Sequence, residues 1–252
     1  GDFSVSVPTV NPPEKYDYLD YMILDLNKMI EDLNGIETLR TDFISNVSHE
    51  LKTPLAVMQN YARLLQTSDL TEENRQEYAK AISQNCQQLT SLITNILKLN
   101  KLENQQIYPK VPPYDLGEQL RECLLGFEDA WSAKNLELEV EIEDGIMTTT
   151  DGQLLSLIWN NFISNAIKFT PENGKIIVRL QKLGELIQVS VQDSGCGMDE
   201  ITMSHIFEKF YQGDTSHATK GNGLGLALAA RVADICKGKI RVESHPEKGS
   251  VF

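Results

Sequence analysis

The chain has 252 residues, 41% of them hydrophobic, which is enough for two ordinary domains, each with a core of its own. Its 36 acidic residues against 23 basic ones leave a net charge of −13, which opposes adhesion to phosphate backbones or to an anionic membrane surface and weighs against a nucleic-acid partner. The four cysteines, Cys86, Cys123, Cys196 and Cys236, are scattered without C-x-x-C spacing, so they read as free thiols of a reducing compartment, not as a zinc site or a disulfide framework.

From Leu19 the apolar positions run Leu19, Met22, Leu26, Met29, Leu33 and Ile36, alternating steps of three and four. That spacing predicts a coiled-coil seam and parallel pairing with a second copy, the alternative being a lone amphipathic helix. Pro8, Pro12 and Pro13 leave few upstream partners for it. The seam continues through Phe43, Val47, Leu51, Leu55, Met58, Ala62 and Leu65, where consecutive steps of four make a stutter, a local unwinding, around His49. Pro54 predicts a bend, because it removes an intrahelical hydrogen bond.

His49 lies two residues past Val47 and two before Leu51, so on a helix it points away from the seam. A lone exposed histidine is commonly just solvated. Here Glu50 stands beside it, a carboxylate able to hydrogen-bond the imidazole or take its proton. Thr71 followed by Glu72 and Glu73 predicts a capped second helix, whose Ala79, Ile82, Cys86, Leu89, Ile93 and Ile96 stripe would pack on the first. Two such hairpins make a dimeric four-helix bundle. Residues 104–113, with Pro109, Pro112 and Pro113, are the best linker in the sequence.

Beyond the linker the pattern becomes mixed α/β. A helix is predicted over 116–133, an alternating strand over 136–142, a helix from Asp151 to Phe169, and a hairpin about Leu183, Gly184 and Glu185. A further helix over 223–236 and short strands follow. On the 151–169 helix Asn161, Asn165 and Lys168 fall at i, i+4 and i+7, opposite Leu155, Ile158, Phe162 and Ala166. Such a polar stripe is either a solvated face or a site for Mg²⁺, which needs only one or two amide oxygens when phosphates and waters complete its octahedron. Two glycine turns come next, Asp193-Ser194-Gly195-Cys196-Gly197 and Gly221-Asn222-Gly223-Leu224-Gly225-Leu226. The second opens a helix, where unpaired N–H groups and the dipole favour phosphate. Its glycine spacing is wrong for a dinucleotide fingerprint.

Taken in order, the segment from Phe43 to Leu55 around His49, the Asn161/Asn165 helix and the two glycine turns resemble the H, N, G1 and G2 boxes of the sensor histidine kinases. The resemblance implies an α plus α/β protein: a dimeric antiparallel four-helix bundle, one helical hairpin per chain, followed by an α/β sandwich of the GHKL ATP-binding fold shared with Hsp90, MutL and gyrase B. The implied domains are a partial HAMP relay and signalling helix over 1–38, a dimerisation and histidine phosphotransfer domain over 39–103, the linker over 104–113 and a catalytic ATP-binding domain over 114–252. By the same resemblance ATP and Mg²⁺ are the cofactors, His49 is the phosphoacceptor with Glu50 as its acid–base partner, and Glu50 to Thr53 looks like the family's phosphatase element. Thr53 would then position water; alternatively it only makes a local backbone bond.

Carried over residue by residue, Asn165 ligates the metal, Asn161 supports it, Lys168 meets phosphate and Phe169 stacks on adenine or serves the core. Asp193 accepts from the adenine amino group, with Gly195 and Gly197 shaping its turn. Gly221, Gly223, Leu224, Gly225 and Leu226 hold phosphate, and Ser250 backs the adenine pocket. Residues 198–220 form the ATP lid, with Lys209 and Lys220 as candidate cations and Phe207, Phe210 and Tyr211 as lid or core aromatics. Gln212 stands where many members of the family carry Arg, which puts that charge role in doubt.

The expected partners are a second copy of the chain and the receiver domain of a response regulator. Both ends read as cuts, and no window of the sequence approaches a membrane span. The expectation is therefore the cytoplasmic part of a bacterial sensor anchored in a membrane upstream of residue 1. Two rivals stay open: a GHKL ATPase that drives conformational change, and a dimeric scaffold that binds ATP without transfer.

Overall fold

A computed structural model describes residues 5–67, 70–104, 112–213 and 221–252. The chain divides into two compact units, Gly1–Gln87 and Gln88–Phe252. The first is built on one long helix, α1 (Tyr18–Leu64), which starts where Asp17 accepts from the N–H groups of Leu19 and Asp20 and where Asp20 reciprocates in a capping box. Asp20 is fully buried, because it also accepts from Val10 N at 2.7 Å, Asn11 N at 3.0 Å and Asn11 Nδ2 at 2.7 Å. Burial alone would raise its carboxyl, but these bonds and that from Asp17 hold it down at about 2. Two turns on, Asn27 exchanges a pair of 2.8 Å bonds with the backbone of Val7. The proline-rich segment is thereby strapped along the start of α1.

The helix runs unbroken through Pro54. The seam residues Leu19, Met22, Leu26, Met29, Leu33 and Ile36 are all exposed in the single chain. The second helix, α2 (Glu72–Asn104), is capped by Thr71, whose Oγ1 accepts from Asn74 N at 3.3 Å. It meets α1 through the Tyr61–Tyr78 ring pair and through Cys86 Sγ, 3.2 Å from Met58 Sδ. The stripe expected on α2 is only partly covered: Ala79, Cys86 and Ile93 are exposed, whereas Leu92, Leu99 and Leu102, spaced seven and three apart on a neighbouring face, are buried. The later turns of α2 belong to the second unit, and that unit covers a different face of the helix.

The second unit continues with β1 (Tyr114–Asp115), α3 (Leu116–Leu125), α4 (Glu128–Ala133), β2 (Glu137–Ile142), β3 (Met147–Thr148), α5 (Gly152–Phe169), β4 (Lys175–Leu183), β5 (Leu186–Asp193), α6 (Glu200–His205), α7 (Gly225–Ile235), β6 (Glu243–His245) and β7 (Gly249–Val251). The single helix expected over 116–133 is two, since α3 closes at Gly126 and α4 starts after Phe127. Three short elements were not expected from the sequence: the paired strands β1 and β3, and α6, which falls inside the segment read as the lid.

The main sheet has the order β2-β4-β5-β7-β6; β2 and β4 are parallel and the other neighbours antiparallel. Period-two alternation gives it two unlike faces. Ile176, Val178 and Leu180 of β4 and Val191 of β5 are at most 1% exposed. The opposite face carries cross-strand ion pairs from Lys175 Nζ to Glu137 and Glu139 and from Arg179 Nε to Glu141. Exposed pairs like these contribute little stability each, but they keep that face in water. The core also takes in Phe162, Ile163, Ala166 and Ile167 of α5 and Ala227, Leu228, Ala229 and Val232 of α7. α5 and α7 pack against each other.

Candidate functional site

Asp151 starts α5 by accepting from Gln153 N and Leu154 N, and the apolar stripe then fixes the helix rotation. The stripe of Asn161, Asn165 and Lys168 is left half-buried at the margin of the core. Asn161 Nδ2 donates to Leu157 O at 2.6 Å, which orients the amide, and Oδ1 faces the start of α7. A Cβ added to Gly225 would overlap Asn161 Oδ1, and one added to Gly221 would stand 2.7 Å from Lys168 Nζ. At Gly225 only a residue without a side chain lets the backbone approach α5 this closely, whereas at Gly221 the lysine end can swing aside. Gly223 turns the chain in the left-handed region, φ +62, and its carbonyl accepts from Phe210 N at 2.9 Å.

The first turn of α7 has no side-chain cap. Leu224 is fully buried, so what it offers a ligand is backbone; its N–H leans on Asn222 Oδ1 at 3.3 Å. Leu226 is half-buried. Burial lowers the pKa of the Lys168 ammonium, which also lies 4.5 Å from the centroid of the Phe169 ring. A partly desolvated cation beside the N-terminus of a helix is a place where phosphate oxygens replace lost solvation.

Asp193 ends β5 opposite Ser250 of β7. It is 7% exposed. Burial pushes its carboxyl up, against the downward pull of N–H groups from Gly195 and Ser250; the former is 2.8 Å away. Gly195 packs under the Phe169 carbonyl, so this turn adjoins the end of α5, while Gly197 turns against the backbone of His245. Ser250 bonds Ser244 Oγ at 2.9 Å, and Ser244 also accepts from Met198 N at 2.8 Å. The structure thus brings Asn161, Lys168, Phe169, Asp193, both glycine turns and Ser250 to one margin of the second unit. Asn165 lies one helical turn from both Asn161 and Lys168.

These residues fit a magnesium nucleotide. The amide oxygens of α5 are donors of the hard kind the ion takes, the α7 turn and Lys168 suit phosphates, and the buried Asp193 carboxylate suits an amino edge.

Lys209 has its ammonium 2.6 Å from Glu103 Oε1 near the end of α2. Lys220 lies outside the described residues, as does most of the linker. Phe207, Phe210 and Tyr211 are half-buried, and Gln212 is exposed. In the first unit His49 and Thr53 are exposed and Glu50 is half-buried, all on α1. The Thr53 hydroxyl donates to His49 O at 3.3 Å, the local bond that Thr in a helix often makes. Sequence reasoning missed Lys134, whose ammonium reaches three carbonyls at the end of α5. A lone Lys before a strand gives no signal of that.

The profile described as "His Kinase A (phospho-acceptor) domain" matches residues 39–105, and that of "Histidine kinase-, DNA gyrase B-, and HSP90-like ATPase" matches residues 150–252. The sensor-like histidine kinase SenX3 of Mycobacterium tuberculosis is 30% identical over 223 residues, 88% of this chain and 54% of its own. The chain therefore spans about half the length of the curated relatives it first matches. Full-length ShkA, solved with AMPPNP, is 29% identical at a TM-score of 0.61 over 86% of this chain and 44% of that one. The catalytic domain of histidine kinase ThkA is 30% identical at a TM-score of 0.50, covering 56% of this chain and 92% of that domain. ThkA in complex with the response regulator protein TrrA shares the fold at a TM-score of 0.71 and 22% identity, over 87% of this chain and 62% of that one.

Proposed function

This chain belongs to the sensor histidine kinases of two-component systems, and on that premise we propose that it transfers the γ-phosphoryl group of ATP to His49 and passes it on to an aspartate of a response regulator. What supports the reading most is the approach of Asn161 and Lys168 on α5 to Gly225 and Gly221, with a β-carbon at Gly225 overlapping Asn161 and one at Gly223 overlapping the Phe210 backbone.

ATP is the phosphoryl donor. Lys168 and the backbone at 221–226 would hold its phosphates, Asp193 its adenine amino group, with Ser250 behind and Phe169 alongside the ring. Asn165, supported by Asn161, would take Mg²⁺, which neutralises phosphate charge when bound. A ring nitrogen of His49 forms a bond to the γ-phosphorus, the bond from that phosphorus to the β–γ bridging oxygen breaks, and ADP leaves with the electron pair. Glu50 receives the proton from the imidazole. The phosphoramidate then loses its phosphoryl group to the receiver aspartate, and His49 is regenerated. Thr53, by releasing its bond to the His49 carbonyl, would orient water to attack the aspartyl phosphate of the regulator, which releases the free aspartate and inorganic phosphate.

The exposed seam of α1 supports pairing of two copies, and membrane anchorage upstream and a HAMP relay at 1–38 are part of the same reading. The test is ATP labelling of the wild type and of His49→Gln. Acid-labile label on the first and none on the second, with ATP binding equal in both, is the expected result. Label retained by His49→Gln overturns the assignment, and ATP turnover without protein-bound label favours a conformational ATPase.

A further inference from the structure

Lys134 closes α4 as its C-cap residue and is half-buried. Its Nζ donates to Ile167 O at 2.7 Å, Lys168 O at 2.9 Å and Thr170 O at 2.8 Å. An ammonium has three donors and all are used. The acceptors belong to the C-terminal turn of α5, whose last carbonyls have no intrahelical partner and carry the negative end of the helix dipole. The buried hydroxyl of Thr170 is spent on Ala166 O at 2.6 Å, one turn earlier. The same two loops are joined again where Asn173 N donates to Lys134 O at 3.0 Å and Asn135 Nδ2 to Asn173 Oδ1 at 2.6 Å.

We propose that Lys134 is a positioning residue for the nucleotide: it latches the end of α5 so that Lys168 and Phe169 face the ligand. One latched carbonyl is that of Lys168 itself, and the next residue, Phe169, packs its carbonyl against Gly195 of the Asp193 turn. Movement of this turn of backbone therefore displaces the phosphate-facing ammonium and the neighbouring aromatic ring together. Lys134 touches no reacting atom, so its loss weakens nucleotide binding and leaves transfer from bound nucleotide nearly intact. The inference rests on the reading of α5 and the glycine turns as the ATP site.

The experiment measures ATP affinity by calorimetry, autophosphorylation KM and kcat, and the unfolding midpoint for the whole chain and four variants. Lys134→Met raises KM for ATP about tenfold with kcat within about twofold, the scale of losing hydrogen bonds from one charged group. Lys134→Arg, which keeps a cation and its donors, recovers most of the affinity. Lys134→Gln, with two N–H donors, gives an intermediate KM and carries the test if the methionine variant does not fold. Lys175→Met, which breaks ion pairs on the outer face of the sheet, leaves KM unchanged.

The latch is overturned by a wild-type KM in Lys134→Met or Lys134→Gln, or by a fall in kcat as large as the rise in KM. An equal rise in Lys175→Met at matched stability also overturns it. A wild-type chain that binds no ATP overturns the site reading itself, and the inference with it.

Discussion

The side-chain oxygen of Asn161 occupies the space in which a β-carbon on Gly225 would have to lie. The start of α7 thus lies against the Asn161 side chain of α5, and both helices contribute buried residues to one core. Gly225→Ala should therefore weaken ATP binding at least about tenfold and cost about 1–3 kcal/mol of stability, as overpacking does. Adding Asn161→Ala should restore the stability without restoring binding, which a double-mutant cycle with calorimetry reads directly. Unchanged affinity in Gly225→Ala would place the nucleotide elsewhere.

On the proposed reading, Asp193 sets stability against function. Burial raises its carboxyl above the ordinary 3.8, so between that value and its raised folded value the folded state holds more protons than the unfolded one. Stability from this group falls as pH rises through that window, and the full cost is present at neutral pH. Asp193→Asn removes the cost and keeps an oxygen for the Gly195 N–H. Its unfolding midpoint at pH 7 should exceed the wild type by about 2 °C or more, and the advantage should shrink as pH falls toward 3.8. ATP affinity should drop at the same time. Thermal scans across pH, paired with binding at pH 7, would reveal an error if the midpoint fell or the affinity held.

Thr53 sits exposed on α1 with its hydroxyl bonded to the His49 carbonyl. Thr53→Ala removes a bond that helices do without, so helix content and autophosphorylation should stay within about twofold, whereas removal of phosphate from a phosphorylated receiver domain should fall about tenfold or more. Parallel loss of both activities would mean that the hydroxyl matters only to the helix.

The helix and strand signals were legible because each rests on a local period. The apolar stripe of α5 was read from steps of three and four, with Asp151 as its cap, and the β4–β5 hairpin from alternation around Gly184. The site motifs were legible for a related reason, since turns that approach phosphate or another backbone require glycine. The division of 116–133 into α3 and α4 was not, because Gly126 and Phe127 interrupt a helix no more visibly than they would continue one. On α2 the stripe through Cys86 and Ile93 was the one read from periodicity, and nothing local ranked it below the face with Leu92 and Leu99.

What the sequence determined by itself was the order of the motifs, the polar stripe of Asn161, Asn165 and Lys168, and a histidine turned from its seam. These follow from side-chain chemistry repeated at short intervals. Tertiary structure alone decided that Asp20 would be buried under Val10 and Asn11, that Lys209 would lean on Glu103, and that Lys134 would close the end of α5. Glu103 and Lys209 are 106 residues apart, and Lys134 and Thr170 are 36 apart. A hydrogen bond across such a separation depends on where the core places two loops, and no residue pattern along the chain encodes it.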